Sequence, residues 1–160
     1  MLHIDLICVG KVKEKYIKAG MAEYLKRLSS YAKISVHEVS DEATKEEMTD
    51  LEVEQVLNLE ADRIEKKLNK QSKVIVLAIE GELTSSEELA ESINQFATYG
   101  HSHISFIIGG SLGLAERLKK VSDRSISFGR ITLPHQLMRL VLIEQIYRSF
   151  RIINGHAYHK

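Results

Sequence analysis

The chain has one cysteine, one proline and no tryptophan in 160 residues, and its 22 basic side chains balance 22 acidic ones. Each shortage excludes something. Cys8 has no second cysteine to pair with, so no disulfide framework is available, and a lone thiol in the apolar run around Ile7 and Val9 reads as a small buried hydrophobe in a reducing compartment. A single proline, Pro134, and nine glycines rule out collagen-like and low-complexity architectures. Zero net charge argues against a non-specific nucleic-acid coat, which is usually strongly basic. No run of about 18 apolar residues exists, the length that a membrane helix needs. His3 and Asp5 interrupt the opening apolar stretch, so no export signal is expected there. The expected setting is cytoplasmic, without a membrane partner.

What is present fits a packed protein. Apolar residues make up 44% and charged residues 28%, and the length is that of one domain, expected over residues 1–160. Charge is unevenly distributed: positions 38–65 carry 11 acids against two bases, positions 110–160 nine bases against three acids. The asymmetry leaves room for a local anionic partner at one end, or simply for solvated helix faces.

Hydrophobic spacing alternates between two periods. Leu2 to Val9 reads as a strand, then Ile17, Met21, Tyr24, Leu25 and Leu28 share one helical face. A strand over 33–39, a polar loop over 40–50 and a helix carrying Val53, Val56, Leu57, Ala61, Ile64 and Leu68 follow. Val74 to Ile79 is an unbroken apolar run, as in a strand covered on both faces, and Glu80 and Gly81 are expected to end it. Thr84 and Glu87 stand at capping-box spacing before a helix with Leu89, Ile93, Phe96 and Ala97 on one face. Strands over 104–108 and 125–128, a short helix over 115–121 and a last helix over 135–150 complete an alternating β/α order. The expectation is an α/β fold, a mainly parallel sheet with helices on both faces. Leu137, Met138, Leu140, Val141, Leu142 and Ile143 leave the start of the last helix apolar nearly all round, so either a second subunit covers it or it is the central core helix.

Candidate chemistry gathers where strands end. In open α/β sheets ligands bind at the carboxyl ends of strands, and three turn segments fall there: Ile79-Glu80-Gly81, Ile108 to Gly113, and Phe128 to His135. Glycines let backbone groups approach a ligand that a Cβ would exclude. No spaced glycine triad of a dinucleotide binder and no phosphate-loop lysine accompanies them, which suits a nucleoside with an amino-acid tail better than a triphosphate. A non-enzymatic nucleotide-binding regulatory module of flavodoxin-like topology is the other reading of the Gly-Gly loop. The terminal Tyr158-His159-Lys160 combines a near-neutral base with a fixed cation, the parts of a proton-abstraction site, or is an idle frayed tail. His101 and His103, in an expected loop, lack the third and fourth ligands of a metal site, so no metal is expected.

Four motifs occur in order: Ile107-Ile108-Gly109-Gly110-Ser111-Leu112-Gly113-Leu114, Leu133-Pro134-His135-Gln136-Leu137-Met138-Arg139, Glu144-Gln145-Ile146-Tyr147-Arg148, and Ala157-Tyr158-His159-Lys160. Together with the Ile7 to Lys11 segment they resemble the RlmH family of large-subunit ribosomal RNA methyltransferases, in the SPOUT superfamily, over the whole chain. Leu112 stands where a polar residue is expected. The resemblance implies methyl transfer from S-adenosylmethionine (SAM) to N3 of a pseudouridine in 23S rRNA of the assembled ribosome, by a homodimer. It also implies a C-terminal trefoil knot, a topology no periodicity argument yields. By the resemblance, Leu77, Gly109 and Phe128, Gly129, Arg130, Ile131, Thr132 and Leu133 line the SAM pocket. His159 is then the candidate base, Lys160 the cation for the imide anion and Tyr158 their positioning group. Arg130, Arg139, Arg148, Arg151 and Lys160, with Lys11, Lys13, Lys15 and Lys18, are the expected RNA contacts.

Overall fold

A computed structural model describes residues 1–160. The elements run β1 (Leu2–Val9), α1 (Lys15–Leu28), β2 (Ala32–Val39), α2 (Asp50–Lys67), β3 (Lys73–Leu83), α3 (Ser86–Thr98), β4 (His103–Ile108), α4 (Glu116–Val121), β5 (Arg124–Ser127) and α5 (His135–Ile153). The strands form one five-stranded sheet in the order β2-β1-β4-β3-β5, and every pairing is parallel. A flavodoxin-like sheet has the order 2-1-3-4-5; here β3 and β4 are exchanged, and the flavodoxin-like topology does not apply.

Period-two alternation divides the core between the two faces of the sheet. Ile4, Leu6 and Cys8 of β1 point to one side and pack with Ile17 and Met21 of α1, Leu89 and Ile93 of α3, and Leu142, Ile146 and Phe150 of α5. Ile7 and Val9 point to the other and pack with Ala61 and Ile64 of α2 and Leu118 of α4. Both faces are thus covered, which is why the strands read as near-continuous apolar runs. Burial pushes the Cys8 thiol up to about 11, so it is a packed hydrophobe and not a nucleophile.

α5 lies between α1 and α3 on its face of the sheet. Leu142, Ile143, Ile146, Tyr147 and Phe150 are buried, each contributing about 1.5–3 kcal/mol, so α5 is the central helix of that layer. Leu137, Met138, Leu140 and Val141 remain half-buried.

Three expectations need correction. β3 does not stop at Glu80-Gly81 but resumes to Leu83, with a register break between Leu77 and Glu82 against β5. Gly81 makes this possible, since a Cβ there would lie 2.8 Å from the Ile126 carbonyl carbon. The cap of α3 is Ser85, whose side chain accepts from Glu88 N, and not Thr84. Thr84 is held back because its N–H still donates to Ser127 O of the β3–β5 ladder. His103 is not in a loop but opens β4.

Candidate functional site

β3 leads into α3 on one face of the sheet and β4 into α4 on the other. Adjacent strands whose connections leave to opposite faces open a crevice at their carboxyl ends, the switch point where α/β folds bind ligands. A cavity of about 680 Å³ occupies that position, a volume within the range of about 300–1,000 Å³ typical of small-molecule sites. Its walls are the bulged end of β3, the Gly-Gly segment after β4 and the segment from β5 into α5.

Leu77, Gly109, Phe128, Gly129, Ile131, Thr132 and Leu133 all line this cavity, whereas Arg130 does not and is exposed. Gly109 is obligatory on steric grounds. A Cβ there would come within 2.3 Å of Gly113 O, so only a bare Cα allows the loop to fold back on itself. The backbone also bridges Gly110 and Gly113. Sequence reasoning did not assign His135, Met138 and Lys119, which line the same cavity. His135 closed the turn segment that begins at Phe128 and Met138 fell in the Leu133 to Arg139 motif, while Lys119 carried no signal.

The electrostatics of the wall are close to neutral. Lys119, the one lysine or arginine on it, is tied up in ion pairs with Glu80 and Glu116. Burial, then the neighbouring Arg139, holds His135 below the ordinary histidine range, so its imidazole is uncharged at neutral pH. Such a lining leaves no unengaged cation for a phosphate chain, and its glycine-walled, half-apolar shape fits an adenosine with a sulfonium tail.

The terminal residues lie elsewhere. Tyr158, His159 and Lys160 are absent from the cavity wall; Tyr158 packs on α5, His159 bridges α5 and α3, and Lys160 is exposed. Tyr158 stacks edge-on against Tyr147 at 5.0 Å and donates its hydroxyl to Glu144 Oε1 at 3.0 Å. Burial, followed by hydrogen bonding to Tyr24 and Glu144, raises its pKa, so the phenol stays protonated. Arg148 pairs with Glu144 at 2.6 Å and donates to His159 Nδ1 at 3.1 Å. Arginine has no acceptor, so His159 Nδ1 carries the lone pair and Nε2–H donates to Glu87 Oε1 at 2.6 Å. The tail is therefore clasped, not frayed. Glu87 offered no sequence signal beyond its apparent capping spacing.

Of the expected RNA contacts, Arg139 must be withdrawn. It is fully buried, pairs with Glu38 at 2.6 Å and donates to Val9 O and Gly10 O, tying the carboxyl ends of β1 and β2 to α5. Arg148 and Arg151 are half-buried and engaged within the chain, while Lys11, Lys13, Lys15, Lys18, Arg130 and Lys160 are exposed. No cluster of histidine, cysteine and carboxylate groups has the arrangement of a metal site. No helix is long and apolar enough to cross a membrane.

Comparison with known proteins agrees with this fold. The family model described as "Predicted SPOUT methyltransferase" matches residues 2–159. The chain is 55% identical over 159 residues to a protein of Listeria welshimeri named "Ribosomal RNA large subunit methyltransferase H", covering 99% of this chain and 100% of that one. Proteins of the same name from Limosilactobacillus fermentum and Bacillus pumilus are 56% and 50% identical over the same shares. Among solved structures, a tRNA (m1G37) methyltransferase from Aquifex aeolicus superposes with a TM-score of 0.53 at 19% identity, covering 92% of this chain and 69% of that one. A probable methylase family protein from Haemophilus influenzae Rd KW20 gives 0.52 at 14% identity, covering 99% and 70%. At those identities the structural likeness speaks for the fold alone, but the full-length family match and the close relatives decide the membership: the chain belongs to the SPOUT methyltransferase family.

Proposed function

We propose that this protein is a SAM-dependent methyltransferase that modifies N3 of a pseudouridine in 23S ribosomal RNA on the assembled ribosome. In this reading one domain spans residues 1–160, carries a C-terminal trefoil knot, and works in the cytoplasm as a homodimer. The observation that carries it is the neutral, glycine-walled cavity at the β3/β4 switch point. Full-length relatives named for large-subunit rRNA methylation narrow the substrate. The half-buried Leu137, Leu140 and Val141 of α5 keep part of their apolar surface available to a second subunit.

SAM, when bound, supplies an electrophilic methyl group on a positively charged sulfur. Leu77, Gly109 and residues 128–133 would hold it through backbone groups and apolar contact, excluding water from the methyl. The imide proton at N3 must leave before the nitrogen can attack, and the resulting charge spreads onto the flanking carbonyl oxygens. His159 is the candidate base. Its only lone pair, on Nδ1, faces Arg148, so it accepts the proton only after that contact opens. Arg148 is then released from one partner, and with Lys160 it offers cations to the imide oxygens. Tyr158, protonated and anchored on Glu144, positions the tail and takes no part in proton transfer.

Mass analysis of rRNA nucleosides from cells with and without the gene tests the reading. Loss of a 3-methylpseudouridine on deletion, and its return with the intact gene, is expected; an identical nucleoside profile would remove the proposal. Restoration with His159→Ala is expected to slow methylation about a hundredfold at neutral pH, the low end for a lost general base, while adenosylhomocysteine binding measured by calorimetry is unchanged.

A further inference from the structure

The cavity at the β3/β4 switch point carries one carboxylate and one ammonium group on its wall, and the two are paired. Glu80, on the bulged end of β3, meets Lys119 of α4. Ala78, Ile79 and Glu80 all line the cavity although they are consecutive, an arrangement that a regularly alternating strand does not give. The break in register between Leu77 and Glu82 puts Glu80 on the wall, as bulges beside binding sites re-aim side chains.

We propose that Glu80 and Lys119 form the subsite for the amino-acid tail of the cofactor, Glu80 taking its α-ammonium and Lys119 its α-carboxylate. The proposal rests on the methyltransferase reading above. To the backbone groups around the adenosine it adds two side chains that select the tail. Three observations support it. First, the charges match in kind and number. The tail of SAM or adenosylhomocysteine is a zwitterion with one ammonium and one carboxylate. Apart from Glu80, Lys119 and the uncharged His135, the wall offers only backbone, apolar and hydroxyl groups.

Second, both side chains keep hydrogen-bonding capacity for a ligand. Lys119 Nζ has three N–H donors; two go to Glu80 and Glu116, and the third is open. Glu80 accepts through Oε1, and no other side chain engages its Oε2. The pair therefore receives a zwitterion without coming apart. A phosphate chain does not suit the same corner. One ammonium already stands against the two carboxylates of Glu80 and Glu116, so a further anion brings repulsion that no ligand ammonium offsets.

Third, the fold does not depend on the pair. The Glu80 side chain is more than half exposed, and ion pairs of that exposure add little to stability. α4 is anchored without it: Arg117 pairs with Asp62 and Glu65 of α2, and Leu118 is buried in the core. α4 and α5 cover opposite faces of the sheet, so a tail held at Lys119 directs the sulfonium back across the cavity toward the His135 wall.

The test is calorimetry on the full-length protein with two ligands that share an adenosine thioether. Adenosylhomocysteine has the tail; in 5′-methylthioadenosine a methyl group replaces it. The parent is expected to bind adenosylhomocysteine at least about tenfold more tightly, the low end for a hydrogen bond to a charged group. Lys119→Gln and Glu80→Gln are each expected to weaken adenosylhomocysteine about tenfold and to leave 5′-methylthioadenosine within about twofold, which also reports an intact cavity. Either variant weakening both ligands alike, or neither, overturns the subsite. If a variant does not fold, the parent decides, with adenosylhomocysteine analogues lacking the carboxylate or the amine. Binding about tenfold weaker for each upholds the pair, and undiminished affinity for either overturns it. A parent that methylates ribosomes but binds the two thioethers equally overturns the subsite alone. A parent that binds neither and leaves ribosomal RNA unmethylated overturns the methyltransferase reading and the subsite with it.

Discussion

The two ends of the sheet treat their charged groups in opposite ways. In the amino-terminal half, Asp5 of β1 accepts from His37 Nε2 of β2 at 3.2 Å and from His103 Nε2 of β4 at 2.6 Å. Asn69 donates to His103 Nδ1 at 3.3 Å, and His3 stacks on His103 at 5.7 Å. Both carboxylate oxygens are engaged, so this histidine-rich cluster is a closed tie across three strands. At the carboxyl ends, Arg139 closes β1 and β2 onto α5, while the ends of β3, β4 and β5 stay open around the cavity. The density of titratable groups does not locate the binding site. The opposed exits of β3 and β4 do.

Removing Arg139 is the most damaging way to break that contrast. Arg139→Ala empties a fully buried site and leaves the Val9 and Gly10 carbonyls without their donors, at a cost of about 2–5 kcal/mol, as for large-to-small changes in a core. Denaturant melts report it as a lower midpoint at unchanged slope. Arg139→Met, which keeps the volume and removes the charge, is expected to recover part of the loss. A wild-type midpoint for Arg139→Ala would mean that the closed corner carries no stability.

Gly109→Ala acts on the open side. The added Cβ meets Gly113 O at 2.3 Å, a backbone atom that cannot rotate away, so the loop must shift by a forced rearrangement worth about 1–3 kcal/mol. Adenosylhomocysteine affinity measured by calorimetry is expected to fall by about tenfold to a hundredfold, the same energy expressed as binding. Unaltered affinity would separate the Gly-Gly loop from the cofactor.

Asp5→Ala probes the closed cluster through stability instead of binding. It deprives His37 and His103 of their acceptor, and about 1–3 kcal/mol of stability is expected to go, as for partly buried groups left unpaired. Cofactor affinity is expected to stay constant. A large loss of binding would show that the two ends of the sheet are coupled.

Much of this division could be read in advance. β1 was legible to the residue, because its apolar residues continue up to Gly10, and the cavity wall followed from glycines placed after strands. Local pattern failed where a partner far along the chain decides the outcome. Arg139 reads as an exposed basic residue until Glu38, 101 positions away, is brought to it. His159 reads as part of a loose tail until Glu87, 72 positions away, fixes its tautomer. β3 outran its expected end because a glycine judged to be a terminator instead lets the chain press against β5.

The mildest perturbation is protonation of His135, on the cavity wall beside the closed corner. Burial, reinforced by Arg139, lowers its pKa in the fold, against a nearby Asp41 that acts the other way. With the folded value below the unfolded one, the contribution to stability is whole above the ordinary histidine value of about 6.5. It is lost as pH falls through the lowered value, since the unfolded chain takes up the proton first. The same proton adds a cation to a wall that would face a sulfonium. Affinity for SAM is therefore expected to drop about threefold on acidification from neutrality, a small change because the imidazole is partly solvated. Adenosylhomocysteine, whose sulfur is uncharged, is expected to lose less, and His135→Gln is expected to flatten the difference between the two ligands. Equal pH dependence for both, in parent and variant alike, would mean that the sulfonium does not lie near this wall and that the cofactor sits in the cavity the other way round.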